Sequence, residues 1–253
     1  MSAVLRNVGL GLILPIVLVV VWWFGSENST SFYFPPLTRI LETFVDLWVF
    51  DLFPVHVVPS LIAIGLGLLV SIVVGVALGV ALGLFRVAAE ATSPVLQFLR
   101  YLPAVALLPL AIQLIGIGLE MRVTIIVLGA VWPILLNTMD GVRGVSPALR
   151  DVARSVRLRR VDWIFRIVLP AASPQIFAGI RASLAVSVVL MVASELLGSS
   201  RGIGYFILEA QRQFSIPEMW SGMILLGLIG YILNVFYGVV EHYVLAWHRL
   251  SRG

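Results

Sequence analysis

The chain has 253 residues, 60% of them hydrophobic and 12% charged, and a mean hydropathy of +1.05, values that exclude an ordinary soluble domain. All 17 basic residues are arginine and they outweigh 13 acids, for a formal net charge of +4. No cysteine is present, which removes a disulfide framework and any cysteine-based metal site.

A bilayer core of about 30 Å requires roughly 20 helical residues. Six stretches meet that requirement, at about 7–26, 59–85, 101–119, 122–139, 175–197 and 219–241. The expectation is therefore an all-α, polytopic membrane protein forming one transmembrane domain over 1–253. The first stretch follows Arg6 and ends in Trp22-Trp23-Phe24 with no small-residue cleavage pattern, so it reads as a retained helix rather than a signal peptide. Beyond it, Phe34-Pro35-Pro36 makes a turn. Residues 37–50 then place Leu37, Ile40, Leu41, Phe44 and Leu47 on one helical face, as a short helix on the outer surface would.

The second stretch carries Ala63, Gly67, Ser71, Gly75, Gly79 and Gly83 at four-residue spacing. Small residues so placed let two helix backbones approach closely in lipid. The partner is either another helix of this chain or a second subunit. Pro103, Pro109 and Gly116 make the third stretch irregular, and Pro170 and Pro174 stand at the entrance to the fifth.

Between the fourth and fifth stretches lies a basic, amphipathic insert at 140–170, with seven arginines between Asp140 and Arg166. Ser146-Pro147 is a helix start, serine at N-cap and proline at N1. Leu149, Val152, Ala153 and Val156 follow at i, i+3, i+4 and i+7, flanked by Arg150, Asp151, Arg154 and Arg157. A second short turn leads to Leu169-Pro170. Arginine counting places this insert, and both chain termini, in the cytoplasm. Twelve arginines then lie inside, Arg39, Arg122, Arg201 and Arg212 lie outside, and Arg181 is in the membrane.

Asp151-Val152-Ala153, Arg157, Ile167 and Leu169-Pro170 resemble the cytoplasmic EAA loop of binding-protein-dependent ABC importer permeases. The spacing matches throughout, while Asp151, Val152 and Arg157 stand where that loop has Glu, Ala and Gly. Phe34-Pro35-Pro36, Leu108-Pro109-Leu110, Gly116-Ile117-Gly118, Ser194-Glu195-Leu196-Leu197-Gly198 and Gly202-Ile203-Gly204-Tyr205 are similar to the branch of that family serving aliphatic sulfonates, taurine, nitrate and bicarbonate. The resemblance implies a type I ABC importer permease-like fold in the bacterial cytoplasmic (inner) membrane. It implies a second permease copy or homologue, two ABC ATPase subunits and an extracytoplasmic substrate-binding protein as partners. ATP and Mg would belong to the ATPase, with no cofactor in this chain. The implied ATPase contacts are Asp151, Ala153, Arg154, Ser155, Val156, Arg157 and Leu158. The family glycine permits a left-handed turn that Arg157 adopts only at a cost. Either the turn here has negative φ, or the loop docks differently, or this chain is the weaker half of a permease heterodimer.

Candidates for a solute path are the polar groups inside the stretches. Gln113, Asn137 and Asn234 read either as interhelical hydrogen bonds or as path lining. Glu195 reads as an interhelical pair or gate near the outer surface, or as path lining. Arg181 is about 21 Å from it along one helix, too far to pair. Arg100 and Arg181 either attract an anion or snorkel to the inner interface. His56, His242 and His248 lack metal-ligand spacing, no GxxxxGK[ST] is present, and no catalytic triad is visible. The expected role is transport of a small solute such as a sulfonate, taurine, nitrate or bicarbonate, riboflavin or a pyrimidine being the alternative cargo. A stand-alone channel or secondary transporter is the alternative class, and no nucleic acid is implied.

Overall fold

The computed structural model describes residues 2–49 and 52–246. Arg249, Arg252 and His248, named above, lie outside the described residues, as does the side chain of Arg6. The described chain is all-α. Its helices are α1 (Ser2–Ser26), α2 (Leu37–Trp48), α3 (Val58–Leu84), α4 (Arg86–Tyr101), α5 (Leu108–Ile115), α6 (Leu119–Arg143), α7 (Pro147–Ser155), α8 (Arg160–Trp163), α9 (Leu169–Gly198), α10 (Ile203–Arg212) and α11 (Ile216–Val244). Single π-turns, Phe53–Val57 and Ile164–Val168, lead into α3 and α9.

Among the described residues four helical segments are long and apolar enough to cross a bilayer: Phe53–Leu84, Leu119–Arg143, Arg160–Gly198 and Ile216–Val244. The stretch 101–119 is not one helix, contrary to expectation. α4 ends at Tyr101, and the segment Ala104–Ile115 departs from it at 78°. The cause is Pro103, whose ring disfavours helical geometry at the preceding residue. Leu102 accordingly takes φ −69°, ψ 120°. Counting this bent pair as one span gives five.

The core is built by α3, α6 and α9. The small-residue ridge of α3 faces α6 of the same chain, which settles the choice left open by the spacing. Gly67 lies on Ile126, Gly75 on Ile134, Gly79 on Thr138 and Gly83 on Val142, and a Cβ at any of these glycines would come within 2.5–2.9 Å of the facing side chain. These pairs keep one constant offset and fix a parallel register along most of both helices. Ser71 is buried in the ridge and satisfies its hydroxyl on the Gly67 carbonyl at 2.7 Å. On the other face of α6, Gly179 of α9 sits against the Pro133 carbonyl, and Ser183 Oγ donates to the Ala130 carbonyl.

At the opposite end from α7, α2, α10 and α11 form a smaller cluster around Trp48 and Phe206, whose rings meet edge-on at 4.7 Å. Trp48 Nε1 donates to Ser221 Oγ at 3.2 Å. The buried face of α2 is carried by Leu37, Ile40 and Trp48, while Leu41, expected on that face, is exposed. Ser26 at the end of α1 accepts a hydrogen bond from Leu37 N at 3.1 Å, which ties the two helices together.

Candidate functional site

The insert folds as the serine-proline start and the apolar spacing require. Ser146 Oγ accepts from Leu149 N at 3.3 Å, and Pro147 occupies the first turn of the nine-residue α7. The helix closes with Leu158 N bonding to the Ala153 carbonyl at 3.0 Å and Arg157 N to the Arg154 carbonyl at 3.1 Å. That double bond is a Schellman cap, and its C′ residue must be left-handed. Arg157 holds φ 50°. The negative-φ alternative is therefore not realised, and Arg157 holds a left-handed conformation that glycine adopts without steric cost.

The apolar stripe divides between two faces. Ala153 is only 7% exposed and packs inward against its own chain, whereas Val152 and Val156 are 58% and 62% exposed. Asp151, Arg154, Ser155, Arg157 and Leu158 are exposed around them. Ala153 thus belongs to the seat of α7, not to its outward face. Between α7 and the nearby ends of α3 and α6 lies a cavity of about 670 Å3 that Arg150, Arg154, Arg157 and Arg160 line.

A second polar site lies at the other end of the core. Glu195 is fully buried, and both its carboxylate oxygens are engaged. Oε1 accepts from Ser60 Oγ at 2.7 Å and from Arg122 Nη1 at 3.1 Å, while Oε2 accepts from Gly204 N at 2.9 Å. Ser60 Oγ also accepts from Ile203 N at 3.1 Å. His56 Nδ1 lies against Gly202, 3.2 Å from its nitrogen. Gly202 takes φ 121°, and a Cβ there would overlap the Glu195 carboxyl group. The cluster therefore pins the turn before α10 to α3, α6 and α9.

The sequence left Glu195 open between an interhelical pair or gate and path lining, named no partner for it, and counted Arg122 on the outer side, at the start of the 122–139 stretch. Arg122 is in fact buried within the first turns of α6. The available signal was positional: Arg122 starts one apolar stretch and Glu195 ends another, as two antiparallel neighbours would place them. His56 and Ser60 are four residues apart and share one helical face, a second signal in the same direction.

The remaining path candidates do not gather around Glu195. Asn137 is half-buried and returns its amide to the Pro133 carbonyl at 2.8 Å, beside Gly179. Gln113 on α5 and Asn234 on α11 are exposed. Arg181 pairs with Glu241 Oε2 at 2.9 Å and lies 5.8 Å from the Tyr237 ring, so it ties α9 to α11.

Taken together, a three-helix core, a projecting basic helix at one end and a bent helix pair define a membrane transport subunit. The family of binding-protein-dependent transport system inner membrane components matches residues 67–246, and the chain belongs to it. It is 31% identical, over 96% of its length and 89% of the relative, to SsuC of Bacillus subtilis, a permease named for aliphatic sulfonates. It is 30% identical to the bicarbonate transport system permease CmpB of Synechococcus elongatus, over 93% of this chain and 90% of that one. Identity to the taurine transport system permease TauC of Escherichia coli is 26%, over 92% and 87%. Among solved structures, an inward-facing form of the MetNI methionine ABC transporter superposes with a TM-score of 0.67 at 18% identity, covering 75% of this chain and 94% of that one. The fold is thus that of a type I ABC importer permease. The chain is a multi-pass inner-membrane permease subunit, a transport component.

Proposed function

We propose that this permease moves a small oxyanion, a sulfonate, taurine, nitrate or bicarbonate, from an extracytoplasmic binding protein into the cell. A separate ATPase that binds ATP and Mg drives it, and a second permease copy or homologue completes the path. The observation that carries this reading is the outward face of α7, where Val152 and Val156 stand exposed between charged neighbours on a membrane protein. Two valines on a short, well-capped helix are too little to fold around but enough to seat in a complementary cleft, with Asp151, Arg154 and Arg157 setting register. The cargo class is supported by the names of the relatives, whose named solutes each carry one oxyanion group.

The test is co-purification of an ATPase subunit from native membranes. Val156→Asp places a charge on the exposed face without touching the seat that Ala153 fills. The wild type retains a nucleotide-binding subunit and the variant loses most of it at equal membrane abundance. Undiminished binding by the variant would refute the α7 assignment. Uptake of labelled taurine, ethanesulfonate, nitrate and bicarbonate into cells carrying the complete transporter then identifies the cargo.

A further inference from the structure

α4 leaves the end of α3 at Arg86 and runs back along α6. Its first turns share a cavity with Gly83, Arg143 and Arg150, so that end lies beside α7. Ten residues beyond Glu90, about 15 Å further along the axis, comes Arg100. A separate cavity of about 450 Å3 runs between α4 and α6, and Glu90, Ser93, Gln97, Arg100, Trp132 and Arg143 line it. Trp132 is half-way along the 25-residue α6, whereas Arg143 is its last residue. Arg100 therefore stands beside the middle of a membrane-spanning helix and does not reach the α7 end, where snorkelling would have taken it.

An arginine at that depth costs about 2.5–3.5 kcal/mol on insertion scales unless water or an opposite charge meets it. No described carboxylate pairs with Arg100; its guanidinium lies 5.8 Å from the ring of its neighbour Tyr101. Gln97 Nε2 donates to Ser93 Oγ at 3.0 Å, which leaves the serine hydroxyl hydrogen and the second amide hydrogen free to donate. The one carboxylate in the lining, Glu90, is held by Arg86 Nε at 2.8 Å. The helix breaks just beyond Tyr101, and broken helices near the bilayer midplane are where transporters form solute sites. The cavity thus presents donors and positive charge at mid-depth with no counter-ion of its own.

We propose that Arg100, with Ser93 and Gln97, forms the half-way station for the transported anion. It takes a small, singly charged oxyanion on the guanidinium, the hydroxyl and the amide. The proposal rests on the anion reading above and assigns it a site. Arg143 continues the positive lining toward the α7 end, so an anion leaving Arg100 moves along a basic wall.

The absence of native cysteine allows a test that needs no knowledge of the cargo. Ser93→Cys in the complete transporter, in membrane vesicles, is exposed to methanethiosulfonate ethylsulfonate and to the trimethylammonium reagent with the same thiosulfonate group, each rate being divided by that reagent's rate with a free thiol in solution. The sulfonate reagent labels about tenfold faster, a preference of the size focused charge produces. Arg100→Gln abolishes the preference and Arg100→Lys keeps it. Equal rates with Arg100 present, a preference that survives Arg100→Gln, or no labelling by either reagent would each overturn the proposal. In uptake assays Arg100→Gln lowers anion transport at least about tenfold while ATP hydrolysis stimulated by the binding protein persists, and Arg100→Lys retains transport, which excludes misfolding as the cause. Uptake by Arg100→Gln within about twofold of wild type also overturns it. Should wild type carry none of the four anions, the cargo reading fails while the labelling ratio still decides the site.

Discussion

At Arg157, as at Phe214, chemistry and backbone disagree, since both hold a left-handed conformation. A non-glycine residue in the left-handed region costs roughly 1–2 kcal/mol, and here the two cap bonds to Ala153 and Arg154 hold it there. Arg157→Gly should leave the thermal stability of the purified protein unchanged or higher. Arg157→Val, with a branched Cβ in the same conformation, should lower it by about 1–2 kcal/mol, read as an earlier loss of the monodisperse peak on heating. Glu195 presents the opposite case, a charge whose surroundings fit it. Removing one member of a buried pair strands the other and costs about 3–5 kcal/mol. Arg122→Ala and Glu195→Ala should therefore each reduce folded protein in the membrane sharply, whereas Glu195→Gln, which keeps an acceptor for Ser60, should be milder. Equal abundance of all three variants would show that the pair does not hold the turn before α10.

At the scale of elements, the small-residue ridge on α3 gives the cleanest comparison. Gly79→Ala drives a methyl into Thr138 and the Leu135 carbonyl of α6, and overpacking of that kind costs about 1–3 kcal/mol. Gly65 is in the same helix with open space around it, so Gly65→Ala should be neutral or stabilising. Membrane abundance and heat resistance of the two variants measure the difference directly, and equal loss in both would place the ridge elsewhere than on α6. The ridge was legible because close approach in lipid demands small residues at four-residue spacing. α7 was legible as a helix for a similar reason, since Ser146-Pro147 starts it and its apolar spacing is helical. Which way Ala153 points was not, because a period of 3.6 identifies a stripe but not the neighbour that covers part of it. The break after Tyr101 was foreshadowed by Pro103, yet its 78° turn depends on what α5 packs against.

For the whole molecule the testable statement is its direction across the membrane. Ser200→Cys, on the turn beyond α9, should react with an impermeant thiol reagent applied to intact cells. Ser155→Cys, at the end of α7, should react only after the cells are opened. The reverse pattern would invert the arginine-based orientation. Membrane residence, helical class and the basic insert were legible in composition and spacing, because apolar length and periodicity are local properties of a chain, and the family likeness was carried by the particular motifs of the insert and spans. The tertiary structure alone decided that the ridge of α3 meets α6 of the same chain, that Arg122 is the partner of Glu195, and that Arg100 lines a cavity with Trp132, half-way along α6. Each of those depends on how distant segments are brought into register, through contacts that lie 59 to 73 residues apart for the pairs Gly67–Ile126 and Arg122–Glu195.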